Sequence, residues 1–193
     1  MELIQGSAEW LAIRCGKVTA SRMSDLMAKT KTGYGASRAN YLAELVAERL
    51  TGEPTEGFVN AAMQRGTMLE PEAREAYEFD TACTVEQVGF IPHPSIPMSG
   101  ASPDGLVGAD GMVEIKCPGT ANHIEALLTE TIPQKYLLQM QWQMACTGRL
   151  WCDFASYSPA LPPLHAAFHQ ARAPRRRDDR GHGSRGARLP RGG

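Results

Sequence analysis

The sequence predicts one α/β domain in which helices flank a central mixed β-sheet. From the two long helices at 37–52 and 60–79 to the strand at 150–157, helical and strand-like patterns follow one another in the order α-α-β-β-β-α-α-β, which is typical of a mixed sheet covered by helices. The chain of 193 residues is long enough for one full core but too short for two. Its apolar content of 42% and charged content of 21% are ordinary for a soluble globular protein.

The first half of the chain is predicted to be helical. Its first segment indicates a short helix, a turn at Gly16, and a second helix capped by Thr19 or Ser21. Further on, apolar residues recur with helical spacing from Ser37 until Gly52. The predicted segments are the helix pair at 7–29, a flexible connection at 33–35, and long helices at 37–52 and 60–79.

The second half alternates between strands and helices. Alternating apolar residues bounded by glycine and proline predict strands at residues 84–91, 98–101, 112–116, 150–157 and 164–168. Helical spacing predicts two helices between the third and fourth of these strands, at about 120–129 and 134–147. The strands therefore supply the predicted sheet and the helices its covering layers.

The folded domain is predicted to span residues 1–170, and residues 171–193 form a tail of different composition. The tail has eight Arg, two Asp, one leucine and no aromatic residue, so it cannot bury enough apolar surface to fold. We predict that it is disordered. It is either a basic arm attracted to DNA phosphates or the product of a reading-frame change near Gln170 in a GC-rich gene. We favour the second explanation, which resequencing of the locus would test.

Charge, cysteine content and hydropathy indicate the surroundings of the protein. Residues 1–170 carry 12 basic and 19 acidic groups, but an acidic body can bind DNA where metal ions at a carboxylate site supply positive charge. The five cysteines form no C-x-x-C pair, which argues against a disulfide framework or a zinc site. No secretory signal pattern and no apolar run near the ~18 residues of a membrane span occurs. We expect a cytoplasmic protein without membrane contact.

Two acids and a lysine near the centre of the chain suggest metal-dependent cleavage of a phosphodiester bond. Asp104 is followed ten residues later by Glu114-Ile115-Lys116. Alternate side chains of a strand share a face, so Glu114 and Lys116 point to one side while Ile115 points into the core. Carboxylates are oxygen ligands that Mg²⁺ accepts together with water and phosphate oxygens. Because neighbouring carboxylates repel one another, a cluster with Glu70 indicates a metal site or raised pKa values.

A simpler interpretation exists for these residues taken singly. Asp104 could make a turn with Gly105, since acid-glycine turns are common. Glu114 could pair with Lys116 on a solvent-exposed face. The joint arrangement, on a strand with apolar alternation, favours the site over this interpretation.

Five segments between about residues 7 and 160 carry a family resemblance. They are W-L-A-I-R-C-G-K-V-T-A-S at 10–21, R-G-T-M-L-E-P at 65–71, G-A-S-P-D-G at 100–105 with E-I-K-C-P at 114–118, Y-L-L-Q-M-Q at 136–141, and F-A-S-Y-S-P at 154–159. In this order they resemble the YqaJ-type viral recombinases, the bacteriophage lambda exonuclease family. Each motif alone would be weak, whereas chance does not readily produce all of them in sequence.

The resemblance implies a fold and an activity. The fold would be restriction-endonuclease-like, with a PD-(D/E)xK core, and residues 1–170 would form the nuclease domain. The activity would be Mg²⁺-dependent 5′→3′ digestion of linear double-stranded DNA in phage-type recombination, with Mn²⁺ as an alternative metal. The resemblance further implies a toroidal homotrimer that threads the duplex and hands the 3′ strand to a single-strand annealing protein.

The resemblance also implies roles for individual residues. The metal ligands would be Asp104, Glu114, Glu70 and the backbone carbonyl of Ile115. Lys116 would orient or activate the attacking water, and Gln139 would complete the wall of the active site by hydrogen bonding to water or substrate. Asp104, Glu114, Lys116 and Gln139 are thus the predicted catalytic residues, and two metal ions would activate the nucleophile and stabilise the leaving oxygen.

Arg14, Ser21 and Ser102 resemble the family's pocket for a 5′-phosphate. Arginine suits this task because its planar guanidinium binds phosphate through two hydrogen bonds. Ser21 would add a hydroxyl near the positive end of a helix dipole. The alternatives are a surface ion pair of Arg14 with Glu9 or Glu2 and a simple helix N-cap at Ser21.

Two other functions share this sequence pattern. The D…E-x-K core marks a superfamily, so a restriction or repair endonuclease is the first alternative. The second is a DNA-binding member of the fold that no longer cuts, which the unusual tail suggests, because loss of a terminal packing helix would expose apolar surface.

Overall fold

The computed structural model describes residues 3–55 and 60–172. In these residues the helices are α1 (Ala8–Arg14), α2 (Met23–Leu26), α3 (Ala36–Thr51), α4 (Ala61–Thr81), α5 (Thr120–Thr129), α6 (Gln134–Thr147) and α7 (Pro163–Ala166). The strands are β1 (Val18–Thr19), β2 (Lys29–Thr30), β3 (Gly33–Tyr34), β4 (Val85–Glu86), β5 (Ile91–Pro92), β6 (Ser99–Ala101), β7 (Gly105–Val107), β8 (Gly111–Lys116), β9 (Trp151–Tyr157) and β10 (Ala167–Arg172). A 3₁₀ turn at Ala20–Arg22 precedes α2.

A five-stranded mixed sheet with the order β10-β9-β8-β7-β4 forms the centre of the fold. The pair β8–β9 is parallel, with Glu114 opposite Phe154 and Lys116 opposite Ser156, and the other pairs are antiparallel. Because parallel neighbours need a crossover connection, α5 and α6 lie between β8 and β9 in the chain. A smaller sheet, β1-β6-β5, and the hairpin β2–β3 complete the described strands.

Strand β8 is buried on both faces, and each face meets a different helix. One core cluster joins its odd-numbered residues to α4, and it includes Val113, Ile115, Ala73 and Tyr77. The other joins the even-numbered face to α6, and it includes Met112, Phe154, Met140 and Met144. Strand alternation therefore turns Glu114 and Lys116 toward α6, as the sequence predicts.

Two tyrosine–carboxylate hydrogen bonds attach α4 to β9. Tyr77 donates from its hydroxyl to Asp153 Oδ2 at 2.7 Å, and Tyr157 donates to Glu72 Oε1 at 2.6 Å. Burial and the hydrogen bond to Asp153 raise the pKa of Tyr77, so its hydroxyl keeps the proton that it donates. These bonds fix the position of α4, which carries Glu70, over the sheet.

We expect Tyr77→Phe to destabilise the fold by about 1–3 kcal/mol, because Asp153 is buried and would lose its donor. The matched control is Tyr157→Phe. Its partner Glu72 is exposed and can turn to water, so the loss should stay near or below about 1 kcal/mol. Urea unfolding of both variants measures the difference. Equal losses would show that burial of the carboxylate does not decide the cost.

Most predicted elements are confirmed, with bounds that differ by a few residues. The confirmed helices are those predicted at 37–52, 60–79, 120–129 and 134–147, and the confirmed strands those at 98–101, 112–116 and 150–157. Helix α3 ends where Gly52 adopts a positive φ of 74°, a conformation that favours glycine. Helix α4 continues through Pro71.

The single strand predicted at 84–91 is wrong. Its first part, β4, pairs with β7 in the large sheet, whereas its last part, β5, pairs with β6 in the small sheet. The N-terminal segment lies at the break between them: Gln5 donates to the carbonyl of Val88 at 2.8 Å. A side chain at Gly89 would come within 2.7 Å of Leu3 Cβ, so this position needs glycine for the close approach.

The N-terminal region differs from prediction in two places. The second helix predicted within residues 7–29 is reduced to the 3₁₀ turn and the four-residue α2, and neither Thr19 nor Ser21 caps it through a side chain. The connection predicted at 33–35 belongs to the hairpin β2–β3. Both strands of the hairpin are exposed, so no apolar alternation marks them in the sequence.

The C-terminal strand also differs. Residues 164–168 were predicted as a strand, but α7 ends at Ala166 and β10 then pairs antiparallel with β9 from Ala167 to Arg172. The strand thus continues two residues past the predicted domain boundary. The rest of the predicted tail lies outside the described residues. None of the helices within the described part of the chain is long and apolar enough to cross a membrane.

Candidate active site

Asp104 and Glu114 meet across the β7–β8 hairpin. Asp104 immediately precedes β7, and Gly105 pairs with Val113. This register lets Asp104 Oδ2 accept a hydrogen bond of 2.6 Å from the backbone N–H of Ile115. The bond holds one carboxylate oxygen of Asp104 against the strand that carries Glu114 and Lys116.

Glu114 is completely buried, and α6 supplies its partners. Gln139 donates from Nε2 to Glu114 Oε1 at 2.6 Å, and Gln143 donates from Nε2 to Glu114 Oε2 at 2.6 Å. The ammonium group of Lys116 contacts Oε1 as well. Both oxygens of this buried carboxylate are therefore satisfied, as a buried charge requires.

Lys116 is the more accessible member of the pair. Its side chain is 26% exposed, and its ammonium group lies 5.5 Å from the centre of the Tyr136 ring. Burial alone would lower its pKa, but Glu114 and Asp104 together raise it above its ordinary value. The pairing with Glu114 suggested by the simpler interpretation exists, but not on a solvent-exposed face.

The acidic residues repel one another in this site. Burial raises the pKa of Asp104 well above its ordinary value, and the charges of Glu114 and Glu70 raise it further. Burial likewise raises the pKa of Glu70, and the charge of Glu114 raises it further. A divalent cation would relieve this repulsion, and oxygen ligands are those that Mg²⁺ prefers. The residues present therefore fit the predicted metal.

The acids do not form a ready-made metal cage. Among residues 3–55 and 60–172, no three acidic, histidine or cysteine side chains are grouped so that they could hold an ion. Glu114 is engaged by α6 and Asp104 by Ile115, while Glu70 interacts with these two acids through its charge. A metal would have to exchange places with one of the hydrogen bonds to these carboxylates.

The residues predicted to bind a 5′-phosphate lie beside the acids. The guanidinium of Arg14 stacks on the Trp10 ring, 3.6 Å from its centre, and Trp10 Nε1 donates to Ser102 Oγ at 2.9 Å. Arg14 Nε is buried, and no described residue accepts its hydrogen. A half-buried guanidinium with an unused donor is suited to an anion that arrives with the substrate.

One cavity of about 280 Å³ brings the two groups together. Its lining includes Trp10, Arg14, Ser21, Ser102, Asp104, Lys116 and Gln139. Ser21 lies in the 3₁₀ turn, is exposed, and has its hydroxyl 3.4 Å from that of Thr19. It is therefore available to the cavity rather than engaged as the helix N-cap suggested by the alternative.

Of the two surface ion pairs suggested as the alternative role of Arg14, only the one with Glu9 falls within the described residues. No ion pair joins Arg14 to Glu9 within the described residues, and Glu2 lies outside them. Burial lowers the pKa of Arg14, and the charge of Glu48 partly offsets this effect. The guanidinium thus faces the aromatic ring and the cavity.

Sequence reasoning missed Gln143 and Trp10 as parts of the site. Gln143 follows Gln139 by four residues, so both lie on one face of α6, and this spacing was the available signal. Trp10 precedes Arg14 by four residues on α1 in the same way.

Comparison with known proteins supplies the family. The model of the YqaJ-like viral recombinase domain matches residues 9–150, which is most of the chain. The chain belongs to this family. The matched range contains the acidic pair, Lys116, Gln139 and the three residues predicted to bind phosphate. No curated protein sequence matches significantly.

Solved structures agree with the family. An alkaline exonuclease from Laribacter hongkongensis is 53% identical with a TM-score of 0.81, and the match covers 88% of this chain and 83% of that one. A structure of this exonuclease in complex with dAMP matches equally well. A phage-related exonuclease from Haemophilus somnus, 13% identical with a TM-score of 0.64 over 82% of this chain and 85% of that one, shares the fold. The predicted restriction-endonuclease-like fold and the predicted class of metal-dependent DNA nuclease are confirmed.

Proposed function

We propose that this YqaJ-family nuclease removes nucleotides in the 5′→3′ direction from the ends of linear double-stranded DNA and depends on Mg²⁺, with Mn²⁺ as a usable substitute. The observation that carries the proposal is the single cavity lined by Arg14, Ser21 and Ser102 on one side and by Asp104 and Lys116 on the other. A group that binds the terminal phosphate beside the catalytic acids fixes the cleaved bond at a short distance from the end of the strand.

Asp104, Glu114 and the backbone carbonyl of Ile115 would hold the metal. Bound Mg²⁺ would activate a water molecule and stabilise the leaving oxygen. Lys116 holds a positive charge at the edge of the cavity, where it would orient the attacking water. Glu70, which lies on α4, would help to retain the metal through its charge.

The size of the cavity supports release of single nucleotides. At about 280 Å³ it lies just below the usual range for small-molecule sites, and so suits one terminal nucleotide rather than a duplex. The relative from Laribacter hongkongensis, whose structure was solved with dAMP, is consistent with a mononucleotide product. Arg14 would bind the terminal phosphate while Asp104 and Glu114 act on the next one.

Arg14→Ala should abolish the preference for 5′-phosphorylated over 5′-hydroxyl ends. Hydrogen bonds to charged groups contribute about 1.5–3 kcal/mol, so the ratio of the two rates should fall about tenfold or more. The control is Arg38→Ala. Arg38 also stacks on an aromatic ring, that of Tyr34 at 3.6 Å, but lies outside this cavity. An unchanged ratio in Arg14→Ala would remove Arg14 from the phosphate site.

The test of the proposed function uses 5′-phosphorylated linear duplexes labelled at either end, with Mg²⁺ or EDTA. We expect metal-dependent loss of the 5′ label as a mononucleotide, while covalently closed circles stay intact. Cutting of circles would instead indicate a restriction- or repair-type endonuclease. No cutting by a folded, DNA-binding protein would indicate an inactive member of the fold.

The proposal includes two partners that rest on the family resemblance. These are two further copies of the chain, arranged as a ring around the duplex, and a single-strand annealing protein that receives the 3′ strand. Sedimentation of the purified chain tests the ring, and a monomer with full exonuclease activity would contradict it.

A further inference from the structure

Gln143 lies one helical turn beyond Gln139 on α6 and differs from it in surroundings. Gln143 is fully buried, with no exposed surface, whereas Gln139 is only partly buried and lines the cavity together with Asp104 and Lys116. Each side-chain amide donates to a different oxygen of Glu114. The two amides thus divide the carboxylate into an inner oxygen, Oε2, and an outer oxygen, Oε1.

Packing alone does not explain why a glutamine occupies position 143. Its neighbours Met140 and Met144 on α6 belong to an apolar cluster, in which an apolar side chain of similar length would fit. The carbonyl oxygen of the Gln143 amide is buried, and no described residue donates a hydrogen bond to it. An unpaired buried acceptor lowers folding stability. The hydrogen bond to Glu114 is therefore the interaction that accounts for an amide at this position.

The outer oxygen of Glu114, Oε1, lies on the side of Lys116 and the cavity-lining Gln139. Lys116 contacts Oε1, and Gln139, which donates to Oε1, borders the cavity. Gln139 is half-buried and lines the cavity, so a ligand that enters the cavity meets its side chain directly. Gln143 has no such access, because it is enclosed between α6 and the sheet.

We propose that Gln143 is a positioning residue that holds Glu114 Oε2, so that Oε1 is presented to the metal while Gln139 yields its place. This inference rests on the proposed metal-dependent function. It assigns different roles to two glutamines that make equal hydrogen bonds in the metal-free protein. Gln139 changes partner during the reaction cycle, and Gln143 keeps its partner throughout.

The test measures Mg²⁺ binding to the DNA-free protein by calorimetry, together with the Mg²⁺ dependence of cleavage. Partners that orient a metal ligand are typically worth about 10- to 100-fold in metal affinity. We expect Gln143→Met to weaken Mg²⁺ binding by at least about tenfold and to raise the half-saturating Mg²⁺ concentration by the same factor. Cleavage at saturating Mg²⁺ should recover most of the wild-type rate.

Met144→Ala is the matched control, since Met144 is the next buried residue of α6 and touches the apolar cluster rather than Glu114. It should lower the melting temperature and leave Mg²⁺ affinity unchanged. If Gln143→Met does not fold, Gln143→Asn decides, because it keeps the amide but is one methylene too short to reach Oε2. A variant that melts lower but binds Mg²⁺ as the wild type does would overturn the role of Gln143.

A second readout is NMR of the side-chain amides, in which the signals of Gln143 are identified by their loss in Gln143→Met. In the wild-type protein labelled with ¹⁵N-glutamine, Mg²⁺ should shift the side-chain amide signals of Gln139, identified by their loss in Gln139→Ala. The signals of Gln143 should stay protected from exchange with solvent. Rapid exchange of both amides would contradict the division of roles. Failure of the wild-type protein to bind Mg²⁺ would instead refute the proposed metal site itself.

Discussion

Asp104→Ala should reduce cleavage by more than about a hundredfold, since even residues that only orient a metal ligand contribute 10- to 100-fold. Asp104 and Glu114 are the two acids that the β7–β8 hairpin brings to the site, and removal of Asp104 leaves Glu114 to hold a cation without this partner. Rates on 5′-labelled duplex at saturating Mg²⁺ measure the loss. Asp110→Ala is the control, because Asp110 is an exposed acid in the turn of the same hairpin.

The same substitution should make the metal-free protein more stable near neutral pH. The pKa of Asp104 is raised in the folded state, so the folded protein takes up a proton that the unfolded chain releases. Stability therefore falls as pH rises from the unfolded value of about 3.9 toward the folded value. Melting in EDTA across this range should show that slope in the wild type and less of it in Asp104→Ala. Retained cutting would remove Asp104 from the metal site. A lower melting temperature of Asp104→Ala in EDTA at neutral pH would contradict the placement of Asp104 among mutually repelling acids.

Lys116→Met should slow the chemical step on the order of a hundredfold or more, as removal of a charge-stabilising group commonly does. DNA affinity should change little, because the ammonium group contacts Glu114 and its charge is balanced by Glu114 and Asp104. Lys116→Arg should not restore the rate, since the planar guanidinium differs in size and geometry from an ammonium group. Single-turnover rates separate chemistry from binding.

Lys135→Met is the matched control for this experiment. Both lysines lie over the ring of Tyr136, at 4.7 Å for Lys135 and 5.5 Å for Lys116, but Lys135 is exposed. Lys135→Met should therefore weaken DNA binding, mostly at low salt, with little change in the single-turnover rate. Parallel losses of affinity and rate in Lys116→Met would contradict a role in chemistry.

The local geometry of the site could be predicted from sequence where one element determines it. Strand alternation places Glu114 and Lys116 on one face of β8, and the structure confirms this. Helical spacing places Trp10 beside Arg14 and Gln139 beside Gln143, although neither pairing was recognised in advance. These relationships extend over at most four residues, and backbone periodicity fixes them.

The remaining features depend on how separate elements pack. The hydrogen bond from Trp10 to Ser102 joins residues 92 positions apart, and no local pattern in either segment predicts this contact. The complete burial of Glu114 results from the approach of α6 to β8, which a strand pattern cannot reveal. The break between β4 and β5 arises in the same way, because the N-terminal segment occupies the space beside Gly89.

Because the ribosome makes the chain from its N-terminus, the acids of the site are made before the helix that completes it. The partners of Glu114 on α6 lie 25 and 29 residues further along the chain, and strand β9, which pairs with β8, comes later still. A growing chain that has just emerged past β8 therefore carries both acids without the helix that holds one of them. Such long-range parallel pairing forms slowly compared with local structure. We therefore expect a chain that stops before α6 not to cut DNA, because Glu114 then lacks both of the amides that hold it.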